Sequence, residues 1–104
     1  MSMNYEQFAA SLNDRFQIHL SEEKIVAVDL IEVSDFKKSA VQESFWLVFR
    51  GSNSEPLGQG TYTFVHPKLG RLEIFMTPIK QDKEGLYYEC VFNRLVDSKG
   101  DASA

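Results

Sequence analysis

Cysteine and long apolar runs are the features that this 104-residue sequence has least of. Cys90 is the only cysteine, so no internal disulfide is possible, and we interpret it as a small core residue on a strand. No apolar run approaches the roughly 18 residues of a membrane helix, and the N-terminus lacks the basic and apolar regions of a signal peptide. We therefore expect a cytoplasmic protein with no membrane partner.

Positive charge is also scarce. Eleven Lys and Arg residues stand against fifteen Asp and Glu, the formal net charge is -4, and the basic residues are scattered along the chain. Proteins that bind nucleic acid through its phosphates gather basic residues into a footprint. The composition therefore predicts no nucleic-acid partner.

The motifs that carry catalytic chemistry are missing as well. Neither His19 nor His66 has a Cys or carboxylate at a metal-ligand spacing, and we expect His66, which precedes Pro67, to form structural hydrogen bonds. No G-x-S-x-G elbow is present, and the Gly-rich segment 51–60 lacks the residue order of a phosphate-binding loop. We predict no enzymatic activity, no catalytic residue, no metal and no cofactor.

What the sequence does contain is a succession of short apolar runs. Turn-forming residues separate four of them between residues 45 and 93, and two earlier runs cover 15–20 and 25–33, which is typical of antiparallel strands joined by turns. The fold class predicted is all-β, mainly antiparallel. Six strands in mostly sequential order form a small barrel or a two-layer sandwich.

The strand limits follow from the breaks in this pattern. The last four strands are predicted at 45–50, 61–66, 72–76 and 86–93, with a polar connection at 34–44 and loops at 51–60 and 81–85. Pro78 indicates that the fifth strand ends there or lies at an edge. In the first strand, Phe16, Ile18 and Leu20 are predicted to share the buried side.

A short helix precedes the strands. Apolar residues at three- and four-residue spacing predict a helix within 1–13, with Asn4 as N-cap and with Phe8 and Leu12 docked on one end or face of the sheet. Residues 1–97 should form a single domain, and the small polar residues 98–104 a flexible tail.

Too many apolar residues remain for one buried face. A second set shares the outward parity, so that either bulges have shifted the register or some of these residues form an exposed patch. The set is Ile31, Val33, Trp46, Val48, Phe75, Tyr87 and Val91. Arg50, Glu73 and Glu89 have the same parity, which would place a guanidinium between carboxylates.

The motifs FWLVFRG, PLGQGTY, HPKLG, EIFMTPI and YYECVFNRL occur in this order. They resemble a family of small bacterial proteins known only as a domain of unknown function, and the resemblance covers residues 8–93. It implies no activity, so no catalytic residue is carried over. Its members are loosely associated with genes for phage-tail-like or tail-collar proteins, which implies a structural or accessory role.

We predict a non-enzymatic module for protein–protein contact or assembly, as a homodimer or as an accessory of a larger particle. The binding residues are predicted to be Trp46, Arg50, Gln59, Phe75 and Glu89. Trp46→Ala or Arg50→Glu should then abolish association without unfolding the chain.

The alternative is a barrel that binds a small molecule among inward aromatic side chains. These are Phe45, Phe49, Tyr62, Phe64, Tyr88 and Phe92. The alternative is less favoured, because a six-stranded barrel should be filled by its own side chains.

Overall fold

The computed structural model describes residues 5–95, which form one short helix and seven strands. The helix α1 is Tyr5–Ala10. The strands are β1 Arg15–His19, β2 Ile25–Val33, β3 Lys37–Lys38, β4 Gln42–Gly51, β5 Gly60–His66, β6 Gly70–Asp82 and β7 Gly85–Leu95. The predicted Asn4 cap and the predicted tail at 98–104 lie outside the described residues.

Six of the strands close into a barrel, and all of their pairings are antiparallel. Around the barrel the order is β1, β2, β4, β7, β6, β5 and back to β1. The predicted all-β fold is therefore confirmed, and the structure is the barrel and not the sandwich. Most neighbours follow one another along the chain, but β4–β7 and β1–β5 do not, so the strand order crosses over between β4 and β5.

The segment 52–59 crosses one end of the barrel, because β4 and β5 lie on opposite walls. The Leu57 N–H donates to the Tyr88 hydroxyl at 3.0 Å, and the Tyr62 hydroxyl donates to the Gly58 carbonyl at 2.9 Å. The Leu57 side chain packs against the core. The predicted loop is thus also the cover of one barrel end.

Helix α1 covers the other end. Phe8 is fully buried, and its ring centroid lies 5.3 Å from that of Phe92 and 6.1 Å from that of Phe45. A six-residue helix is not stable alone, so this packing holds it in place. The prediction that the helix docks through Phe8 is confirmed.

The predicted docking of Leu12 is wrong, since its side chain is exposed. The helix ends at Ala10, and Asn13 takes a positive φ of 73°. The Asn13 N–H donates to the Leu30 carbonyl at 2.7 Å, so the chain turns into β1 before Leu12 can reach the core. Leu20 is likewise exposed, because β1 ends one residue earlier at His19.

Aromatic side chains fill the barrel interior. The ring of Phe49 lies 5.1 Å from that of Phe16 and 5.0 Å from that of Phe64, and all three side chains are fully buried. Tyr88 and Met76 are buried in the same cluster. These inward rings pack on one another, as expected for a barrel of six strands.

Two bulges change which residues face outward. The β2–β4 register shifts between Leu30 and Glu32, so Ile31 is an extra residue and Val33 is brought against the core. A second shift, between Pro78 and Lys80, lies in the β6–β7 pairing. Of the two predicted explanations of the outward apolar residues, a shift of register by a bulge applies to Ile31 and Val33. The other explanation, an exposed patch, applies to other residues of the set.

Strand limits differ from the predicted ones in two places. The connection 34–44 contains the two-residue β3 and the first residues of β4. Strand β6 continues through Pro78 to Asp82, so of the two predicted alternatives at Pro78, a strand end or an edge, the edge is confirmed. Pro78 is tolerated because β6 pairs with β5 only as far as Met76 and from Thr77 onward with β7 alone, which makes this part of β6 a local edge.

Candidate functional site

Three apolar side chains on the outer surface of the barrel form the first candidate site. Trp46 on β4 pairs with Val91 on β7, and Phe75 lies on β6 where the β6–β7 register, extended from the Thr77–Glu89 pair, comes opposite Val91. Their exposed fractions are 37%, 60% and 52% for Trp46, Val91 and Phe75. We call Trp46, Val91 and Phe75 the outer strip.

The backbone of Trp46 is fixed by a buried serine that follows β2. The Trp46 N–H donates to Ser34 Oγ at 2.8 Å, and the Ser34 N–H donates to the Trp46 carbonyl at 2.9 Å. A shallow depression of about 200 Å³ adjoins Trp46 and Val91, with Asp35 and Lys37 on its border. The outer strip is thus held in place beside polar groups of both charges.

Other residues of the predicted apolar face are covered. Val48 has the same parity as Trp46 but is buried, and it lies between its register partners Glu32 on β2 and Glu89 on β7. Ile31, the bulged residue, is half-buried. Of the seven residues in the predicted outward set, Trp46, Phe75 and Val91 are therefore the ones that are exposed.

A charged depression of about 450 Å³ is the second candidate site. Its floor follows the strand register, in which Arg15 pairs with Asp29 and Asp29 with Arg50. Arg15 Nε lies 3.0 Å from Asp29 Oδ1, and Arg50 lies 3.9 Å from Asp29 Oδ2 and 3.8 Å from Glu84 Oε1. The hydrogen bond to Asp29 raises the pKa of Arg15.

The β6–β7 hairpin continues this polar surface. The Tyr87 hydroxyl donates to Asp82 at 3.1 Å, and Lys80 Nζ lies 4.7 Å above the Tyr87 ring. The Glu84 N–H, which donates to Asp82, is the main cause that lowers the pKa of this carboxyl. Burial, together with the Asp82 contact, raises the pKa of Tyr87.

The charges of this depression neutralise one another. Two guanidinium groups face the carboxylates of Asp29 and Glu84, and each pair is exposed enough that it contributes under about 1 kcal/mol. Such a surface has no excess charge with which to hold an anion or a cation. The ion pairs of the depression link β1, β2, β4 and the hairpin to one another. The depression is therefore the weaker candidate site.

The five predicted binding residues lie in three places. Trp46 and Phe75 belong to the outer strip, and Glu89 lies beside it as the register partner of Thr77 and Val48. Arg50 lies four residues from Trp46 on β4, about 13 Å along the strand. Gln59 is exposed and precedes β5 at the end of the barrel that segment 52–59 covers.

The predicted contact of Arg50 with Glu73 or Glu89 is wrong. Arg50 pairs instead with Asp29 and Glu84, because β2 is its neighbour and the hairpin turn reaches back to it. Glu73 accepts a hydrogen bond from Thr63 on β5 at 2.8 Å. In the sequence, Asp29 stands out as a charged residue within an apolar strand. Its pairing with Arg50, however, depends on the strand order, which the sequence pattern does not give.

His66 has the structural role that the sequence predicts. It is buried, and its Nδ1 accepts hydrogen bonds from the N–H groups of Lys68 and Leu69 at 3.0 and 3.1 Å. The proton therefore lies on Nε2, which donates to Asp14 Oδ2 at 2.9 Å. The ring joins the β5–β6 turn to the segment before β1.

Cys90 is fully buried, as the sequence predicts. Burial, with a smaller contribution from Glu89, raises the pKa of the Cys90 thiol to about 12. Because the thiolate is the reactive form, this side chain is unreactive in the folded protein.

Within residues 5–95, no three His, Cys, Asp or Glu side chains are grouped so that they could hold a metal ion. In the same part of the chain, no helix has the length and apolar character to cross a membrane.

Comparison with curated proteins gave no match, and comparison with solved structures gave none either. A family model did match, over residues 3–92, which is most of the chain. Its description is "Domain of unknown function (DUF6916)". The chain belongs to this family.

Proposed function

We propose that this chain is a non-enzymatic module for protein–protein contact, which assembles with itself through the outer strip. The observation that carries the proposal is the exposure of Trp46, Val91 and Phe75 on a barrel whose interior is already filled. Exposed large apolar side chains on neighbouring strands of an outer surface are typical of a contact site. The resemblance described above supplies a setting for such a module, as an accessory of a phage-tail-like particle.

The residue types and their rigidity support contact with a protein. Trp is among the residues that dominate interface energies, and the main chain of Trp46 is held by two hydrogen bonds to Ser34, one to its hydroxyl and one from its N–H. Binding therefore costs little ordering of the main chain at the centre of the strip. The depression beside Trp46 has Asp35 and Lys37 at its border, which suits the polar rim of an interface.

The packing inside the barrel favours this function over a ligand-binding barrel. Phe49 and Phe64, two of the inward aromatic residues of that alternative, have ring centroids 5.0 Å apart. Phe45 and Phe92 stack at 4.8 Å with nearly parallel planes. The surfaces of these inward side chains are therefore in contact with one another and do not line a cavity for a ligand.

Light scattering coupled to size-exclusion chromatography tests the proposal. The wild type should have a mass well above the 11.9 kDa of one chain, and Trp46→Ala should shift it to the monomer with an unchanged circular dichroism spectrum. Ile25→Ala is the matched control, because Ile25 is also an exposed apolar strand residue but lies on β2, away from the strip. This control should keep the wild-type mass.

Two results would contradict the proposal. A wild type that stays monomeric at its highest soluble concentration has no self-interface, and a Trp46→Ala variant that unfolds would show that the strip is part of the core. Arg50→Glu addresses the extent of the interface. If it also dissociates the assembly while remaining folded, the interface reaches the charged depression about 13 Å from Trp46 along β4.

A further inference from the structure

Strand β7 has a partner on only one side over its second half. It pairs with β4 along its whole length from Leu86 to Leu95, whereas its pairing with β6 stops at Glu89. Before Thr77, β6 pairs with β5 instead. Among residues 5–95, no strand pairs with the second edge of β7 at 90–95, and such an edge offers its N–H and C=O groups to another strand.

The two edges of this part of the sheet differ. Beyond the barrel, β3 flanks β4 on one side and β7 flanks it on the other. The β3 edge is only two residues long and consists of Lys37 and Lys38, and both a short strand and exposed lysines prevent pairing with another chain. The β7 edge carries Val91 and Leu95, which are 60% and 83% exposed, and lacks this protection.

We propose that a second copy of this chain covers the β7 edge. The two β7 strands pair antiparallel about a two-fold axis at Asn93, which makes one continuous sheet from β4 of one copy to β4 of the other. This inference rests on the proposed function, and it adds the strand pairing and the register of the contact. An interface of this kind is self-complementary, as a two-fold axis requires.

The register follows from the side chains. Residues directly opposite in an antiparallel pair share a face, so the two-fold axis must pass through a residue. An axis at Arg94 sets two arginines opposite each other. An axis at Phe92 sets Leu95 opposite Glu89 of the other copy, and this edge of Glu89 is already paired with β6. An axis at Asn93 sets Val91 opposite Leu95 of the second copy, so that exposed apolar residues of the same face meet twice.

The outer strip gives this contact additional surface. The second strand lies along the β7 edge beside Val91, with Trp46 on the neighbouring strand. The exposed apolar side chains amount to a few hundred Å² per copy, whereas a standard interface buries roughly 800 Å² per partner. A stable contact at the β7 edge must therefore also bury main chain and polar side chains that flank the strip.

Disulfide trapping with Asn93→Cys tests the register. Directly opposite residues of an antiparallel pair have Cα atoms about 4.5–5.5 Å apart, which is within the range of a disulfide. Cys90 is fully buried and does not compete, so the introduced thiol is the only exposed one. On mild oxidation, Asn93→Cys should run at twice the chain mass, whereas the control Lys38→Cys, on the opposite edge, should not.

A second pair of variants tests the edge without a crosslink. Leu95→Lys should raise the dissociation constant of the dimer at least about tenfold, since it places a charge opposite Val91 of the other copy. Ile25→Lys is the matched control, because Ile25 is also an exposed apolar strand residue but lies on β2, which does not pair with β7. It should dissociate like the wild type. Both residues are exposed, so neither lysine disturbs the core.

The outcomes separate this inference from the proposed function. Trapping of Asn93→Cys, with dissociation caused by Leu95→Lys alone, supports pairing at Asn93. If the wild type is a dimer that Trp46→Ala dissociates, but Asn93→Cys is trapped no faster than Lys38→Cys, the pairing of β7 edges is refuted and the contact module stands. A wild type that is monomeric overturns both.

Discussion

Replacing Gly85 by alanine should strongly destabilise the barrel. Gly85 begins β7 directly after the two-residue turn of the β6–β7 hairpin, with a φ of 156°. A Cβ atom at this position would lie 2.4 Å from the Gly51 carbonyl oxygen and 2.8 Å from Cγ of Arg50. The first of these atoms is main chain, so it cannot rotate away, and the hairpin would have to separate from the end of β4.

The expected loss follows from two contributions. Forcing a methyl group into a closely packed position costs typically 1–3 kcal/mol, and an unfavourable φ for a residue with a Cβ adds about 1 kcal/mol. The sum of about 2–4 kcal/mol is a large part of the 5–15 kcal/mol that stabilises a domain of this size. It corresponds to a decrease of the melting temperature by roughly 10–25 °C.

Urea unfolding followed by circular dichroism measures this loss, with Gly58→Ala as the control. Gly58 lies in the segment that crosses the barrel end, and a Cβ there would meet nothing within 4 Å. Its replacement should change the free energy of unfolding by less than about 0.5 kcal/mol. Equal stability of the two variants would refute the close approach of the hairpin to β4, and with it the Glu84–Arg50 contact.

Three further predictions concern single side chains. Tyr88→Phe leaves the Leu57 N–H without its acceptor at the covered barrel end and should cost about 1–3 kcal/mol in urea unfolding; no loss would mean that segment 52–59 is held by other contacts. The Cys90 thiol, with a pKa of about 12, should react with a thiol reagent at pH 8 only as fast as the chain unfolds; rapid reaction in native buffer would contradict its burial. Asp82→Asn should destabilise the hairpin at pH 7, because the pKa of Asp82 is lowered by the Glu84 N–H and by Tyr87. A lowered carboxyl pKa stabilises the fold above the unfolded-state value, so the difference from wild type should shrink as the pH falls below about 4; a difference that grows there would refute this role.

The local part of the fold could be predicted from the sequence, because it depends on short-range patterns. The limits of β2 at Ile25 and Val33 agree with the prediction, since the apolar run is bounded by polar turns on both sides. The turn at Gly70, which takes a positive φ of 80°, follows from residues that are neighbours in the chain. Each of these features is determined within about ten residues.

The pairing between distant strands could not be predicted in the same way. The neighbours of β4 are β2 and β7, and nothing in the alternation of β4 selects them. The error about Arg50 is a direct result, because its carboxylate partners depend on which strands lie beside it. The bulge at Ile31 is similarly invisible, since one extra residue leaves the apolar pattern of β2 almost unchanged.

Parity identified the candidates for the outer strip but could not select among them. Trp46, Val48 and Tyr87 all have the outward parity, yet Val48 and Tyr87 are buried. Lys80 lies over the ring of Tyr87, and two glutamates flank Val48. Long polar side chains cover apolar neighbours with their stems, so exposure depends on cross-strand neighbours that sequence parity does not identify.

The unpaired main chain beside the outer strip is a consequence of how this small barrel closes. The first half of β6 pairs with β5 and the second half pairs with β7, so β6 and β7 are paired only near the hairpin. Phe75 and Val91 lie on either side of the part where these two strands are not paired. Their side chains cannot turn inward, because the interior is already filled by the rings around Phe49. Since packing inside the barrel does not require apolar residues at these two positions, the fold alone does not explain them. A second strand laid along the β7 edge would account for both the unpaired main chain and the apolar side chains next to it.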